Sequence, residues 1–120
     1  MSKGSIKYWN VLAEKHRNRW KALDGTDGMI EQVTLGKDSA SGDVTRLTRF
    51  KAGADTTPFG HSCHDFPEEV FVVSGRLYDQ ANERWLEQGD YASRLPGEIH
   101  GPFLCEQECI VLEISSPGPL

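Results

Sequence analysis

Four residue types with metal-binding or proton-transfer chemistry crowd one stretch, His61-Ser62-Cys63-His64-Asp65-Phe66-Pro67-Glu68-Glu69, followed by the apolar run Val70-Phe71-Val72-Val73 and Ser74-Gly75. Imidazole and carboxylate are nitrogen and oxygen donors for divalent transition metals, and a β-branched run behind them can hold them on a rigid strand. A second stretch, Pro96-Gly97-Glu98-Ile99-His100, supplies one more imidazole. The pair reads as two halves of one metal site.

His64 and Glu68 are four residues apart, which on a straight strand is roughly 13 Å at about 3.3 Å per residue, too far for a common ion. Asp65 and Pro67 favour a chain reversal, with His64 ending one strand and Glu68 opening its antiparallel neighbour about 4.8 Å away. His61 points away from His64 by strand alternation. A β-bulge at Ser62–Cys63 would return it to the site as a fourth ligand; otherwise it is a surface histidine and the ion has three protein ligands. Cys63 is a rival thiolate ligand for zinc, but alternation sends it away from His64.

These two stretches resemble the motifs of the cupin superfamily, and within it the small cupins similar to the C-terminal domain of the anti-sigma factor ChrR. His64, Glu68 and Gly75 fit the first motif, and Gly89, Pro96, Gly97 and His100 the second. The departure is at position 62, where the family pattern expects histidine and this chain has Ser62 with His61 beside it. The resemblance covers roughly residues 29–115 and implies an all-β cupin jelly roll. It also implies one divalent ion held by His61, His64, Glu68 and His100. Fe(II) is favoured, with Zn(II), Ni(II), Mn(II) and Cu(II) compatible with the donors. Similar cupins include iron-dependent dioxygenases that cleave diketones or hydroxyaryl ketones, which chelate the metal through two oxygens. Others are isomerases or cyclases, and in ChrR-like proteins the cupin is a regulatory module. The implied pocket walls are Phe66, Val70, Val72 and Phe103, and Glu98, two residues before His100, is a candidate base or else an exposed loop residue.

The surrounding chain must position this site. At 120 residues it is one domain, divided here into an arm (1–28), a β-barrel (29–115) and a tail (116–120). Strands are expected at Met29–Leu35, Val44–Phe50, Val70–Leu77, Arg84–Leu86 and Tyr91–Leu95, with Phe103–Leu104 and Cys109–Ile114 as a closing pair. Such short strands separated by turns point independently to a sandwich or barrel. Val44–Phe50 alternates Val44, Arg46, Thr48 and Phe50 against Thr45, Leu47 and Arg49, which suits a partly polar cavity wall. Residues 6–23 form either a short helix or an irregular arm whose Trp9 and Trp20 cover a sheet or a second subunit.

A net charge of −5 argues against nucleic acid and acidic membranes, despite the local cluster Lys15, Arg17, Arg19 and Lys21. No signal peptide is expected, because the first residues lack a long apolar core; no apolar run reaches membrane length, and three cysteines without C-x-x-C spacing suit reduced thiols. The expectation is a cytoplasmic protein with a small-molecule ligand; the family resemblance adds a homodimer.

Overall fold

The computed structural model describes residues 3–118. After a 3-10 helix at Glu14–Arg19 come nine strands: β1 (Lys21–Ala22), β2 (Ile30–Lys37), β3 (Val44–Phe50), β4 (Glu68–Ser74), β5 (Arg76–Asp79), β6 (Arg84–Glu87), β7 (Tyr91–Arg94), β8 (Phe103–Leu104) and β9 (Cys109–Ser115). Six form one antiparallel sheet in the order β1-β2-β3-β9-β4-β7, and three form a second in the order β6-β5-β8. This is the all-β jelly roll expected from the strand count.

Register explains which side chains meet inside. Glu68, Val70 and Val72 on β4 stand opposite Ser115, Glu113 and Val111 on β9. Those β9 residues in turn stand opposite Val44, Arg46 and Thr48 on β3. Directly opposed residues share a face, so one interior surface runs from an apolar end to a polar end. The apolar end joins Ile30, Phe50, Ala54, Val70, Val72, Leu77, Cys105, Cys109 and Val111 in the main core.

The outer face of the large sheet is also covered. Trp20 packs with Val33, Leu47 and Ile110, with Trp9, Val11 and Leu35 against them. The Arg49 guanidinium lies 4.0 Å above the Trp20 ring, a cation–π contact. Of the two readings of residues 6–23, the arm laid across the sheet is the one found, with a 3-10 turn and two residues of strand in place of an amphipathic helix.

Two strand assignments need correction. The apolar run Val70–Leu77 is two strands in different sheets, broken at Gly75, which has φ 74°. A Cβ there would stand 2.2 Å from the Glu108 carbonyl oxygen, so only glycine lets the chain cross between sheets at this point. Phe103–Leu104 and Cys109–Ile114 do not pair with each other, because β8 joins β5 while β9 lies between β3 and β4.

Candidate metal centre

The reversal at Asp65–Pro67 forms, but His64 does not end a strand beside β4. Its segment pairs with the second motif. Ser62 N–H donates to the His100 carbonyl at 2.8 Å and His100 N–H returns the bond to Ser62 at 2.9 Å; Gly97 N–H donates to the His64 carbonyl at 2.7 Å. Main-chain bonds thus dock the two motifs, while Glu68 arrives as the first residue of β4.

His64, Glu68 and His100 converge, each offering a ligand atom within 4.8 Å of the others. His64 Nε2 and Glu68 Oε2 are 4.0 Å apart. That gap is too long for a hydrogen bond. The donor set of two imidazoles and a carboxylate fits a divalent transition metal in its chemistry, and the three side chains stand close enough to turn toward one ion.

Each ligand is held by its own support. The other oxygen of Glu68, Oε1, accepts from Arg94 Nη1 at 3.1 Å, with Glu68 buried and the Arg94 side chain 11% exposed. Arg94 is the residue directly opposite Glu68 on β7. The His64 ring stacks on Phe66 with centroids 4.7 Å apart and 12° between planes. His100 Nδ1 lies 3.4 Å from the Glu98 carbonyl, so a proton donated there leaves Nε2 as the ligand atom. Asp79, fully buried, accepts from Gly101 N–H at 3.0 Å and fixes the backbone just after His100. Burial, and after it the positive charge of Arg94, lowers the His100 pKa below that of a free imidazole, which keeps the ring in its ligating neutral form.

The site opens into a cavity of about 220 Å³. Ile30, Phe50, Phe59 and Phe103 give it apolar walls, and Gln32, Arg46, Thr48 and Glu113 give it a polar end. Arg46, Thr48 and Phe50 come from the strand whose mixed alternation suggested such a wall.

Several expected site residues stand elsewhere. His61 is exposed and outside the ligand cluster. The two-way bond between Ser62 and His100 puts Ser62 in register with the ligand strand, no bulge turns His61 inward, and Ser62 lines the cavity where the family pattern has histidine. Cys63 is exposed and also outside the cluster. Val70 and Val72 share the face of Glu68 as expected, yet they are sealed in the core, and Phe66 backs His64; of the expected walls, Phe103 lines the cavity. The Glu98 side chain is exposed and contributes its backbone carbonyl instead. Glu69, beside the ligand Glu68, accepts from the Tyr91 hydroxyl at 2.6 Å on the exterior. Arg94, Gln32 and Glu113 escaped the sequence reading because their proximity depends on strand pairing, not on any local motif.

Solved structures share this fold. Acetylacetone dioxygenase from Acinetobacter johnsonii is 16% identical over 97% of this chain and 78% of its own, with a TM-score of 0.71. A chain of the Rhodobacter sphaeroides complex of SigE with the anti-sigma ChrR is 22% identical over 82% of this chain, which spans only 49% of that one, with a TM-score of 0.63. The polyketide cyclase RemF from Streptomyces resistomycificus is 20% identical over 77% of this chain and 68% of its own, with a TM-score of 0.61. No curated protein matches the sequence. The ChrR cupin-like domain family matches residues 10–117, nearly the whole sequence, and the chain belongs to that family.

Proposed function

We propose that the protein is a metal-dependent enzyme acting on a small molecule, with Fe(II) as its ion and a diketone or hydroxyaryl ketone as its substrate. One observation carries this reading: the His64–Glu68–His100 cluster opens onto a small, largely apolar cavity. Three protein ligands leave open positions for two substrate oxygens. Iron held by His64, Glu68 and His100 would supply Lewis-acid and redox chemistry to a substrate in the cavity.

The protein's own residues do the rest. His64, Glu68 and His100 set the position of the ion, and Arg94 holds Glu68 so that one carboxylate oxygen faces inward. Phe50 and Phe103, whose rings stand 6.2 Å apart, border the space for the apolar body of the substrate and keep water from it. The fold likeness to a dioxygenase supports the reaction type by analogy. A second reading, a metal-dependent cyclase or isomerase, is favoured by Glu113, a carboxylate inside the cavity and outside the ligand set, together with the likeness to a polyketide cyclase. A sensing module without turnover draws on the likeness to the ChrR complex.

The test is anaerobic loading with Fe(II), followed by oxygen-uptake measurements with a panel of β-diketones and hydroxyaryl ketones. Uptake that tracks bound iron and vanishes in Glu68→Ala supports the dioxygenase. Substrate conversion with zinc and no oxygen uptake moves the assignment to a cyclase or isomerase. Tight ligand binding with no conversion under either metal moves it to a sensor.

A further inference from the structure

Beside the metal cluster the cavity has a second polar centre made of Gln32, Arg46, Thr48 and Glu113, each from a strand of the large sheet. Thr48 Oγ1 donates to Glu113 Oε1. Arg46 Nε donates to the same oxygen at 3.0 Å, and Gln32 Nε2 donates to Thr48 Oγ1 at 3.2 Å. Thr48 is 3% exposed, while the Glu113 and Arg46 side chains are 16% and 32% exposed, so the group is anchored in the interior at Thr48 and partly open to solvent at Arg46.

The bonding leaves a defined remainder. Both hydrogen bonds that reach Glu113 use Oε1, which leaves Oε2 as a free acceptor. Arg46 spends Nε on Glu113 and keeps its Nη donors. Gln32 keeps its amide oxygen. The centre thus presents a carboxylate acceptor beside a guanidinium donor. That pair complements a hydroxyl group, which gives one hydrogen bond and accepts another.

Its distance from the metal site follows from register. Glu113 stands opposite Val70, and Glu68 stands opposite Ser115. Glu68 and Glu113 are therefore diagonal neighbours on one face, a separation of about 7 Å, which a single aromatic ring bridges. The space around them is walled by Phe50 and Phe103.

We infer that Gln32, Arg46, Thr48 and Glu113 form a second anchor that selects substrates bearing a hydroxyl group on the end remote from the chelating oxygens. This rests on the metal-site reading above and deepens it, because it favours a hydroxyaryl compound over a plain diketone. Glu113 Oε2 receives the hydroxyl proton in a charge-assisted hydrogen bond, and an Arg46 Nη donates to the hydroxyl oxygen. Thr48 and Gln32 are positioning residues that hold the carboxylate in place.

The experiment uses binding without turnover. Benzoylacetone, its para-hydroxyphenyl analogue and its para-methoxyphenyl analogue are titrated by calorimetry into zinc-loaded and metal-free protein. With zinc bound, the hydroxyl analogue is expected to bind at least about tenfold more tightly than either comparison compound, since those offer no donor to the free Oε2 of Glu113. Glu113→Gln should cut that ratio to about threefold or less, and Gln32→Leu should reduce it by a smaller factor. Gln32→Leu also serves if Glu113→Gln does not fold. A ratio near one in the unaltered protein, or a ratio undiminished in both variants, overturns the anchor. Benzoylacetone binding equally well with and without zinc overturns the metal-chelating function instead, and the hydroxyl ratio in metal-free protein still decides the anchor.

Discussion

The interior face of the large sheet has two ends, both built on the central strands β3, β9 and β4, with β7 adding Arg94 at one of them. At one end Phe50, Cys109, Val111 and Val72 pack with almost no solvent exposure. At the other, Arg46, Glu113, Glu68 and Arg94 line up as charges. The difference teaches why this barrel can hold a site. Each of these charges, Glu68 buried and the others partly so, is matched across the strands, Arg46 with Glu113 and Arg94 with Glu68, both at directly opposed positions. Charges taken from water persist only when so paired and hydrogen-bonded. The apolar end has no such partners to offer.

That contrast can be broken most severely by moving a charge to the wrong end. Val72→Asp places a lone carboxylate where exposure is 1%, and the expected outcome is loss of cooperative folding, read by thermal melting and circular dichroism. Glu68→Ala and His100→Ala act at the other end. Each should lower metal affinity by at least about a hundredfold, measured by metal titration, while the His61→Ala protein keeps its ion, since His61 lies outside the cluster. Arg94→Met should weaken metal by about tenfold to a hundredfold, because it frees the Glu68 carboxylate to turn.

A smaller effect comes from pH. His100 is buried with its pKa below the ordinary 6.5. The unfolded chain therefore takes up a proton that the folded chain refuses. Stability of the metal-free protein should fall as pH drops through about 6.5, and stop falling once the folded protein also protonates His100. Urea midpoints between about pH 8 and pH 5 measure this, and His100→Gln should flatten the curve. The slightest test compares thiols. Burial pushes the Cys109 thiol up to about 12, while Cys63 is exposed, so in the native state an alkylating reagent should modify Cys63 and spare Cys109.

Legibility in the sequence followed the range of the interactions. His64, Glu68 and His100 were readable because donor chemistry and turn residues sit within short stretches. Arg46 and Thr48 were readable as a polar wall from their alternation with Phe50. Arg94 and Glu113 were not, since nothing local to them says which strand they will face. The break at Gly75 was hidden inside an unbroken apolar run, because its cause is a carbonyl oxygen at Glu108 that comes near only after both sheets form. His61 misled because a histidine next to the motif looks like a ligand, whereas the Ser62–His100 backbone bonds fix which side chain faces in.

Those same backbone bonds have a consequence for handling the protein. They join the two ligand-bearing segments through the main chain, and Arg94 steadies the carboxylate. N/O sites of this kind favour copper or zinc over iron by intrinsic affinity. A metal found after purification would therefore record what the expression culture supplied, and the proposed iron is best tested on protein stripped and reloaded with one metal at a time.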